Sequence, residues 1–233
     1  MKQRILVVED DEDIIKLLKL YLENDGYDVI TCTNGVDALE ILKNIKIDLA
    51  VLDIMMPKMD GYELTKRIRQ LSNLPVIILS AKNEVSDKVL GLSIGADDYM
   101  TKPFNPLEII ARIKSNLRRF YDLNKDEPSK EPYDKIIIGT IELDLTNFTA
   151  KKNGVELFLT PTEYRILHLL MKSPGRVYTK LQIYENIKGE YFESDDNTIM
   201  VHISKLRDKL EDNPKNPIFI KTVRGVGYKV EKK

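Results

Sequence analysis

The first half of the chain alternates between short apolar runs and longer stretches in which apolar residues recur at helical spacing. Ile5–Val8, Leu49–Leu52 and Val76–Leu79 are four-residue apolar runs, as expected of buried strands. Between the first two, the stretch Ile14–Leu22 has apolar residues at steps of three and four, as a helix requires. This alternation predicts an α/β doubly wound, five-stranded parallel sheet with crossover helices on both faces.

Polar side chains follow these runs at the points where the strands end. Glu9 and Asp10 follow the first run, Asp53 and Ser80 close later ones, and Lys102 comes after the fifth strand. In such sheets the functional site lies beyond the carboxyl ends of the strands. Singly, an acid here commonly caps a helix and a lysine is commonly a solvated surface charge. Together, the set predicts a phosphorylatable carboxylate beside a divalent metal, because hard cations favour oxygen ligands.

The second half of the chain has a different pattern. Short alternating runs come first, with Asn153-Gly154 as a hairpin turn signal. Thr160–Glu163 then opens a helix, since threonine, proline and a following glutamate form a helix start. Helices are also predicted at about Lys180–Ile187 and Asp196–Leu210, before a glycine-containing hairpin at Phe219–Tyr228. Three helices followed by a two-stranded ribbon predict an α+β winged helix-turn-helix domain.

Composition adds a domain division. The chain has 233 residues, a formal net charge of −1 and one cysteine, Cys32, so an intramolecular disulfide is excluded. Residues 122–132 contain two prolines among mostly charged residues, which predicts a linker between domains at 1–121 and 133–233. No apolar run approaches the ~20 residues of a membrane span. We therefore expect a cytoplasmic protein that makes no contact with a membrane.

Four segments at the strand ends of the first half stand out in chain order: VVEDDEDI (Val7–Ile14), LDIMMPKMDG (Leu52–Gly61), LSA (Leu79–Ala81) and GADDYMTKPF (Gly95–Phe104). Together they resemble the receiver domain of two-component response regulators, which has a flavodoxin-like fold. The resemblance implies that Asp53 is the phosphoacceptor and that Asp10 and Asp53 bind Mg²⁺. It also implies that Glu9 acts through water and that the main-chain carbonyl of Met55 completes the ligand set.

The same resemblance assigns roles to three further residues. Lys102 would pair with a phosphoryl oxygen, and Ser80 would donate its hydroxyl to the phosphoryl group. Ser80 and Tyr99 match the switch pair of the family, in which the hydroxyl moves and the aromatic ring then rotates inward. Serine replaces the more frequent threonine here, which leaves the mechanism intact.

A charged face similar to the one on which these regulators dimerise is also present. Intermolecular bridges across a two-fold axis are expected there. Lys88 would pair with Glu108, and Asp97 or Asp98 would pair with Arg119 or Arg112. The residues of this face are Lys88, Asp97, Asp98, Glu108, Arg112 and Arg119.

Three segments of the second half carry its motifs: LTPTEYRILHLL (Leu159–Leu170), NTIMVHISKLRDKL (Asn197–Leu210) and KTVRGVGYKV (Lys221–Val230). Together they resemble the effector domain of the OmpR/PhoB regulators. Two shorter stretches, NTIMVHI and GVGYKVEKK, resemble the vancomycin-resistance subgroup.

The second of these segments predicts a recognition helix with one apolar stripe and an opposite face that reads DNA. Val201 would meet a thymine methyl group and Lys205 a guanine edge or a phosphate. Thr198 and His202, at the flank, suit phosphate contacts, and Arg224 at the wing tip would probe the minor groove. The full set of predicted DNA contacts is Asn197, Thr198, Val201, His202, Ser204, Lys205, Thr222 and Arg224.

The sequence as a whole predicts a transcriptional regulator rather than an enzyme. A sensor histidine kinase would phosphorylate Asp53, and the homodimer would bind direct repeats in promoter DNA and engage RNA polymerase. One alternative is a regulator of the same fold that works without phosphate, although the intact acidic set argues against it. Another is a phosphohydrolase with Asp53 as nucleophile. However, Met55 stands where such an enzyme needs an acid to protonate the leaving group.

Overall fold

The computed structural model describes residues 2–82, 84–122, 135–146, 148–188 and 198–231, with the helical backbone alone for 118–122 and 188. The chain divides into two compact units, Met1–Leu117 and Arg118–Lys233. The predicted linker lies outside the described residues except for Asp122, which ends a helix. Within the described residues, no helix combines the length and the apolarity needed to cross a membrane.

The first unit is built on a five-stranded sheet in the order β2-β1-β3-β4-β5, with every neighbouring pair parallel. β2 pairs on one side of β1, and the chain then crosses to form β3 on the other side of β1. The crevice of the fold therefore opens where β1 and β3 end. β3 and β4 are buried along their whole length because helices cover both faces of the sheet. The strands are β1 (Arg4–Val8), β2 (Asp28–Cys32), β3 (Leu49–Asp53), β4 (Val76–Ser80) and β5 (Asp98–Thr101).

The first three helices of the first unit begin after residues that cap their free amides. Asp11 accepts hydrogen bonds from the main-chain amides of Asp13 and Ile14, and Asn34 and Asp60 play the same part for the next two helices. These caps fix where the chain turns after β1, β2 and β3. The helices are α1 (Glu12–Asn24), α2 (Gly35–Asn44), α3 (Gly61–Leu71), α4 (Val85–Ile94) and α5 (Pro106–Asp122).

The second unit begins with an antiparallel sheet in the order β6-β7-β8-β9. Three helices follow, and a small sheet in the order β10-β12-β11 closes the unit. Its strands are β6 (Lys135–Ile138), β7 (Ile141–Asp144), β8 (Thr149–Lys152), β9 (Val155–Leu157), β10 (Tyr178–Thr179), β11 (Ile220–Val223) and β12 (Gly227–Val230). Its helices are α6 (Pro161–Lys172), α7 (Lys180–Lys188) and α8 (Thr198–Leu210).

A capping box sets the start of α6. The Thr160 hydroxyl accepts from the main-chain amide of Glu163, whose carboxylate accepts from the amide of Thr160. The same carboxylate binds Lys209 Nζ on α8, so one buried acid joins two helices of the core. The predicted fold class is confirmed, a five-stranded parallel sheet followed by a winged helix-turn-helix. The two-residue strand β10, which pairs with β12, was not predicted.

Candidate functional site

The carboxyl ends of β1 and β3 bring three acidic side chains together. The two strands run in register, with Val8 opposite Leu52, so the residues that follow share one sheet edge. Ligand oxygens of Glu9, Asp10 and Asp53 lie within 4.8 Å of one another. Glu9 and Asp53 are 1% and 4% exposed, whereas Asp10 is open to solvent. Carboxylate oxygens with one open side are a donor set that fits Mg²⁺.

Lys102 bridges the two buried acids of this cluster. Its Nζ lies 2.7 Å from Oε2 of Glu9 and 2.9 Å from Oδ1 of Asp53. Burial alone would lower the pKa of Lys102, but the hydrogen bonds and charges of the two acids outweigh it and leave the pKa raised. Burial raises the pKa of Glu9, against the hydrogen bond from Lys102 and in the same direction as the charge of Asp53. The pocket is therefore partly neutralised by its own ammonium group.

The main chain around Asp53 holds its carboxylate in place. Oδ2 of Asp53 accepts a hydrogen bond of 2.8 Å from the main-chain amide of Met55, whose side chain is exposed. Gly61 lies so close to this turn that a Cβ there would stand 2.2 Å from the carbonyl oxygen of Asp53. Only glycine allows this approach, which brings the start of α3 against the end of β3.

Ser80 and Tyr99 meet around the main chain of Lys82. Ser80 is fully buried and its Oγ accepts from the Lys82 amide at 3.0 Å, while the Tyr99 hydroxyl donates to the Lys82 carbonyl at 3.0 Å. Burial raises the pKa of Tyr99, and a hydrogen bond with Ser80 opposes that rise. The Tyr99 ring is 2% exposed and packs on Gly91 of α4, so it points inward in this structure.

Three of the predicted DNA contacts on α8 are buried, Val201 from the open face and Thr198 and His202 from the flank. Thr198, Val201 and His202 are 0%, 8% and 1% exposed. α8 packs against both α6 and α7, so more of its surface is covered than a single apolar stripe predicts. Ser204 is exposed and Lys205 is partly exposed, which leaves them on the open side of α8. Asn197, also predicted here, lies outside the described residues.

The hairpin β11–β12 presents the remaining predicted DNA contacts. Thr222 and Arg224 are both exposed, and Gly225 turns the tip with a φ of 74°. Gly227 passes so close to β10 that a Cβ would stand 1.9 Å from the carbonyl oxygen of Tyr178. The short strand β10 therefore anchors the base of this wing and leaves its tip open.

Comparison with known proteins identifies both units. Residues 5–114 match the response regulator receiver domain, and residues 154–230 match the family described as transcriptional regulatory protein, C terminal. Response regulator GtcR of Aneurinibacillus migulanus is 46% identical over 100% of this chain and 97% of its own. The alkaline phosphatase synthesis transcriptional regulatory protein PhoP of Bacillus subtilis is 45% identical over 99% and 98%. A solved mutant of RitR superposes with a TM-score of 0.80 at 26% identity, over 99% of this chain and 100% of that one.

The chain belongs to the OmpR/PhoB-type response regulators. It is a DNA-binding regulator of a two-component system, for which a histidine kinase and DNA are the implied partners. The relatives named above are regulators. VanR of Enterococcus faecium is 43% identical over 100% of both chains, close to the value for PhoP. Identity therefore does not separate the vancomycin-resistance subgroup from the other relatives.

Within one chain, residues of the predicted dimerisation face of this response regulator already pair with each other. Asp98 forms an ion pair within the chain, since Nη1 of Arg112 lies 3.0 Å from its Oδ2. Arg112 also binds Glu108, one turn earlier on α5, at 2.8 Å. Helical spacing explains the second pair, since residues four apart share one face of a helix. The side chain of Arg119 lies outside the described residues.

Asp97 is also withdrawn from that face. It is 0% exposed, and its Oδ2 lies 2.7 Å from Nη2 of Arg69 and accepts from the main-chain amide of Val76. Arg69 donates further hydrogen bonds to the carbonyl oxygens of Leu74 and Gly95. Asp97 and Arg69 thus tie together the turns before β4 and β5. The intermolecular pairs stay predictions, and Glu108 of the pair with Lys88 is also bound by Arg112 within the chain.

Sequence reasoning missed two polar residues at the end of α8. Arg207 and Glu211 are four residues apart, and both bind the main chain of β11 or the residues just before it. Their spacing on a helix is the one sequence signal that pairs them, and a lone basic or acidic residue at a helix end is ordinarily solvated. Only the fold, which brings β11 against this end of α8, reveals the contact.

Proposed function

We propose that this response regulator accepts a phosphoryl group on Asp53 from a histidine kinase and then binds promoter DNA as a dimer. One observation carries the proposal: Lys102 bridges Glu9 and Asp53 in a pocket where three acids share one sheet edge. Glu9 and Asp53 are buried carboxylates that Lys102 neutralises, and they can exchange this ammonium group for another cation. The same pocket has a neutralising group ready for the oxygens of an incoming phosphoryl group.

The chemistry follows from the positions of these side chains. As an oxygen of the Asp53 carboxylate bonds to phosphorus, the phosphorus–nitrogen bond of the donor phosphohistidine breaks and the imidazole leaves with the electron pair. The Met55 amide orients the Asp53 carboxylate through its hydrogen bond. Lys102 then pairs with an oxygen of the transferred phosphoryl group. Asp10, Asp53 and the Met55 carbonyl, with Glu9 acting through water, would hold Mg²⁺, which would supply the remaining charge neutralisation when bound.

The switch pair then reports the phosphoryl group to the face of α4 and β5. The Ser80 hydroxyl turns to donate to a phosphoryl oxygen, which removes its hydrogen bond with Tyr99. The Tyr99 ring already lies inward against Gly91 in this structure, and loss of the bond with Ser80 would hold it there and fix the position of α4. Packing of a ring against a helix backbone is a two-state contact of the kind that such switches use.

Dimerisation is proposed on the face formed by α4, β5 and α5. Leu90 on α4 is 47% exposed, which provides apolar area at its centre. Lys88 and Glu108 would bridge two copies, although surface ion pairs contribute only about 0–1 kcal/mol each. The dimer would place two effector domains on direct repeats roughly 10–11 base pairs apart, one helical turn of DNA. The DNA-bound dimer would then contact RNA polymerase.

Mass spectrometry tests the phosphorylation. Intact protein incubated with an acyl phosphate and Mg²⁺ should gain one phosphoryl group, and Asp53→Asn should abolish the gain. Asp60→Asn is the matched control, because Asp60 lies in the same loop but caps α3, a role that asparagine can keep. Undiminished labelling of Asp53→Asn would overturn the assignment of the acceptor.

Sedimentation tests the link to dimerisation. Protein treated with beryllofluoride, which mimics the acyl phosphate, should sediment as a dimer at tens of micromolar (roughly the range for a weak interface). A monomer under these conditions, with DNA binding equal in the presence and absence of the mimic, would favour the alternative of a regulator that works without phosphate.

A further inference from the structure

Two side chains at the end of α8 bind both main-chain polar groups of one wing residue. The carboxylate of Glu211 accepts from the amide of Ile220 at 2.9 Å, and Nη2 of Arg207 donates to the Ile220 carbonyl at 2.7 Å. Ile220 is the first residue of β11 and is fully buried. The start of the wing is therefore held from two sides by the helix that faces DNA.

The Glu211 carboxylate serves more than Ile220. Its two oxygens also accept from the amides of Ile218 and Phe219, at 3.0 Å for each nearest contact. The amides of three successive residues thus donate to one carboxylate, and Glu211 as a whole is only 7% exposed. Charge-assisted hydrogen bonds of this kind are about twice as strong as neutral ones.

Arg207 extends the contact further along the strand. Its Nη2 lies 2.8 Å from Oγ1 of Thr222, and its guanidinium stacks over the Tyr228 ring at 5.7 Å from the centroid. Thr222 is one of the proposed DNA contacts, and Arg224 stands two residues beyond it. The contacts of Arg207 therefore reach the part of the wing that faces DNA.

Chain connectivity alone would not hold the wing in register with α8. The connecting segment 212–217 contains two prolines and is exposed along most of its length. From these contacts we infer that Glu211 and Arg207 are positioning residues, a clasp that fixes the wing to α8 so that both reach the same DNA together. This rests on the proposed function, in which α8 and the wing are the DNA contacts. Preorganisation of this kind raises affinity by removing the entropy lost on ordering a binding surface.

A double-mutant cycle in the full chain tests the clasp. The probe is a 40-base-pair duplex that the protein itself selects from a random pool. Glu211→Gln should weaken binding roughly tenfold, because glutamine keeps one acceptor oxygen and turns a donor toward the amides. In the wild type, Arg224→Ala should cost several-fold. In the Glu211→Gln background the same change should cost almost nothing, since a wing that is no longer held contributes little.

Asp212→Asn is the matched control. Asp212 is the next residue, loses the same charge, and pairs with Lys152 rather than with β11. Its binding should stay within about twofold of the wild type, as expected for a solvated pair. Should Glu211→Gln fail to fold, Arg207→Lys supplies the second test, because lysine keeps the charge but cannot bind Ile220 and Thr222 at once.

The outcomes separate the two proposals. If Arg224→Ala costs affinity by the same factor with and without Glu211, the residue only stabilises the fold and the clasp is overturned. If Arg224→Ala has no effect in the wild type, the wing does not touch the DNA, and the clasp falls together with that part of the proposed function. Loss of the Arg224 effect in both clasp variants, with the Lys205→Ala effect retained, supports the clasp.

Discussion

The pocket of the receiver domain and the open face of α8 differ in what fixes their side chains. In the pocket, Asp53 ends a strand and Glu9 and Lys102 come directly after strands. Parallel pairing brings strand ends together whatever else packs nearby. On α8, exposure depends on which parts of the fold cover the helix, and Val201 is buried although it lies off the apolar stripe. Backbone topology therefore determines the first site, and tertiary packing determines the second.

Removing Lys102 should have the largest effect on this comparison. Lys102→Met leaves two buried carboxylates without their ammonium partner, which should cost about 3 kcal/mol of unfolding free energy without Mg²⁺. Phosphorylation should slow by roughly a hundredfold or more, the scale of losing one charged group that stabilises a transition state. Thermal unfolding with and without Mg²⁺ checks the first effect, and Mg²⁺ should raise the Tm more in the variant than in the wild type.

Lys66→Met is the control for that experiment, because Lys66 is an exposed lysine on α3. It should change neither the Tm nor the rate of phosphorylation. An unchanged rate in Lys102→Met would show that strand-end placement alone does not make a residue functional.

Substitutions on the buried side of α8 should change stability, whereas substitutions on its open side should change DNA affinity. Val201→Ala should lower the unfolding free energy by about 1–3 kcal/mol, since it removes methyl groups from a buried side chain. Lys205→Ala should leave stability unchanged and weaken DNA binding by about 1–3 kcal/mol if it meets a base. Urea unfolding and fluorescence titration measure the two quantities. If Val201→Ala instead alters sequence preference with no loss of stability, the burial of Val201 does not persist on DNA.

Gly91 marks a place in the receiver domain where packing decides rather than topology. A Cβ at this position would lie 3.0 Å from Cδ2 of Tyr99 and 3.2 Å from Cδ1 of Ile78. Gly91→Ala should therefore disfavour the inward ring by about 1 kcal/mol, the lower end of overpacking costs. Dimerisation with beryllofluoride should weaken several-fold in sedimentation, whereas Ser93→Ala on the same helix should not change it. An equal effect of both substitutions would point to α4 as a whole.

Cys32 should give the smallest effect. It ends β2 on the same side of the sheet as the pocket, but burial raises the pKa of its thiol to about 11. At pH 8 only about one thiol in a thousand is then ionised, and the fraction rises about tenfold for each pH unit up to the pKa. Cys32→Ser should leave phosphorylation within about twofold, the scale of an ordinary near-surface change. Rapid modification of the wild type at pH 8, with loss of phosphorylation, would contradict this.

The same division explains how far the sequence could be read. The strands of the first unit, the start of α6 and the strand-end residues were predictable, because apolar periodicity and capping are local signals. The pairing of Arg112 with Asp98 was not, since a charge pattern does not reveal whether its partner lies in the same chain. Glu211 was missed for a related reason. Its partners are main-chain amides several residues away, and no side-chain pattern announces them.

Arg69 has a mechanical consequence for α4. By binding the Gly95 carbonyl and Asp97, it pins the C-terminal end of that helix to α3. At the other end, within the described part of the chain, the Glu84 side chain makes no capping hydrogen bond. We expect α4 to behave as a lever with its fulcrum at Arg69, so that a small shift near Gly95 becomes a larger swing at Val85. Relaxation-dispersion NMR should find exchange broadening that grows from Ile94 toward Val85, and uniform broadening would rule the lever out.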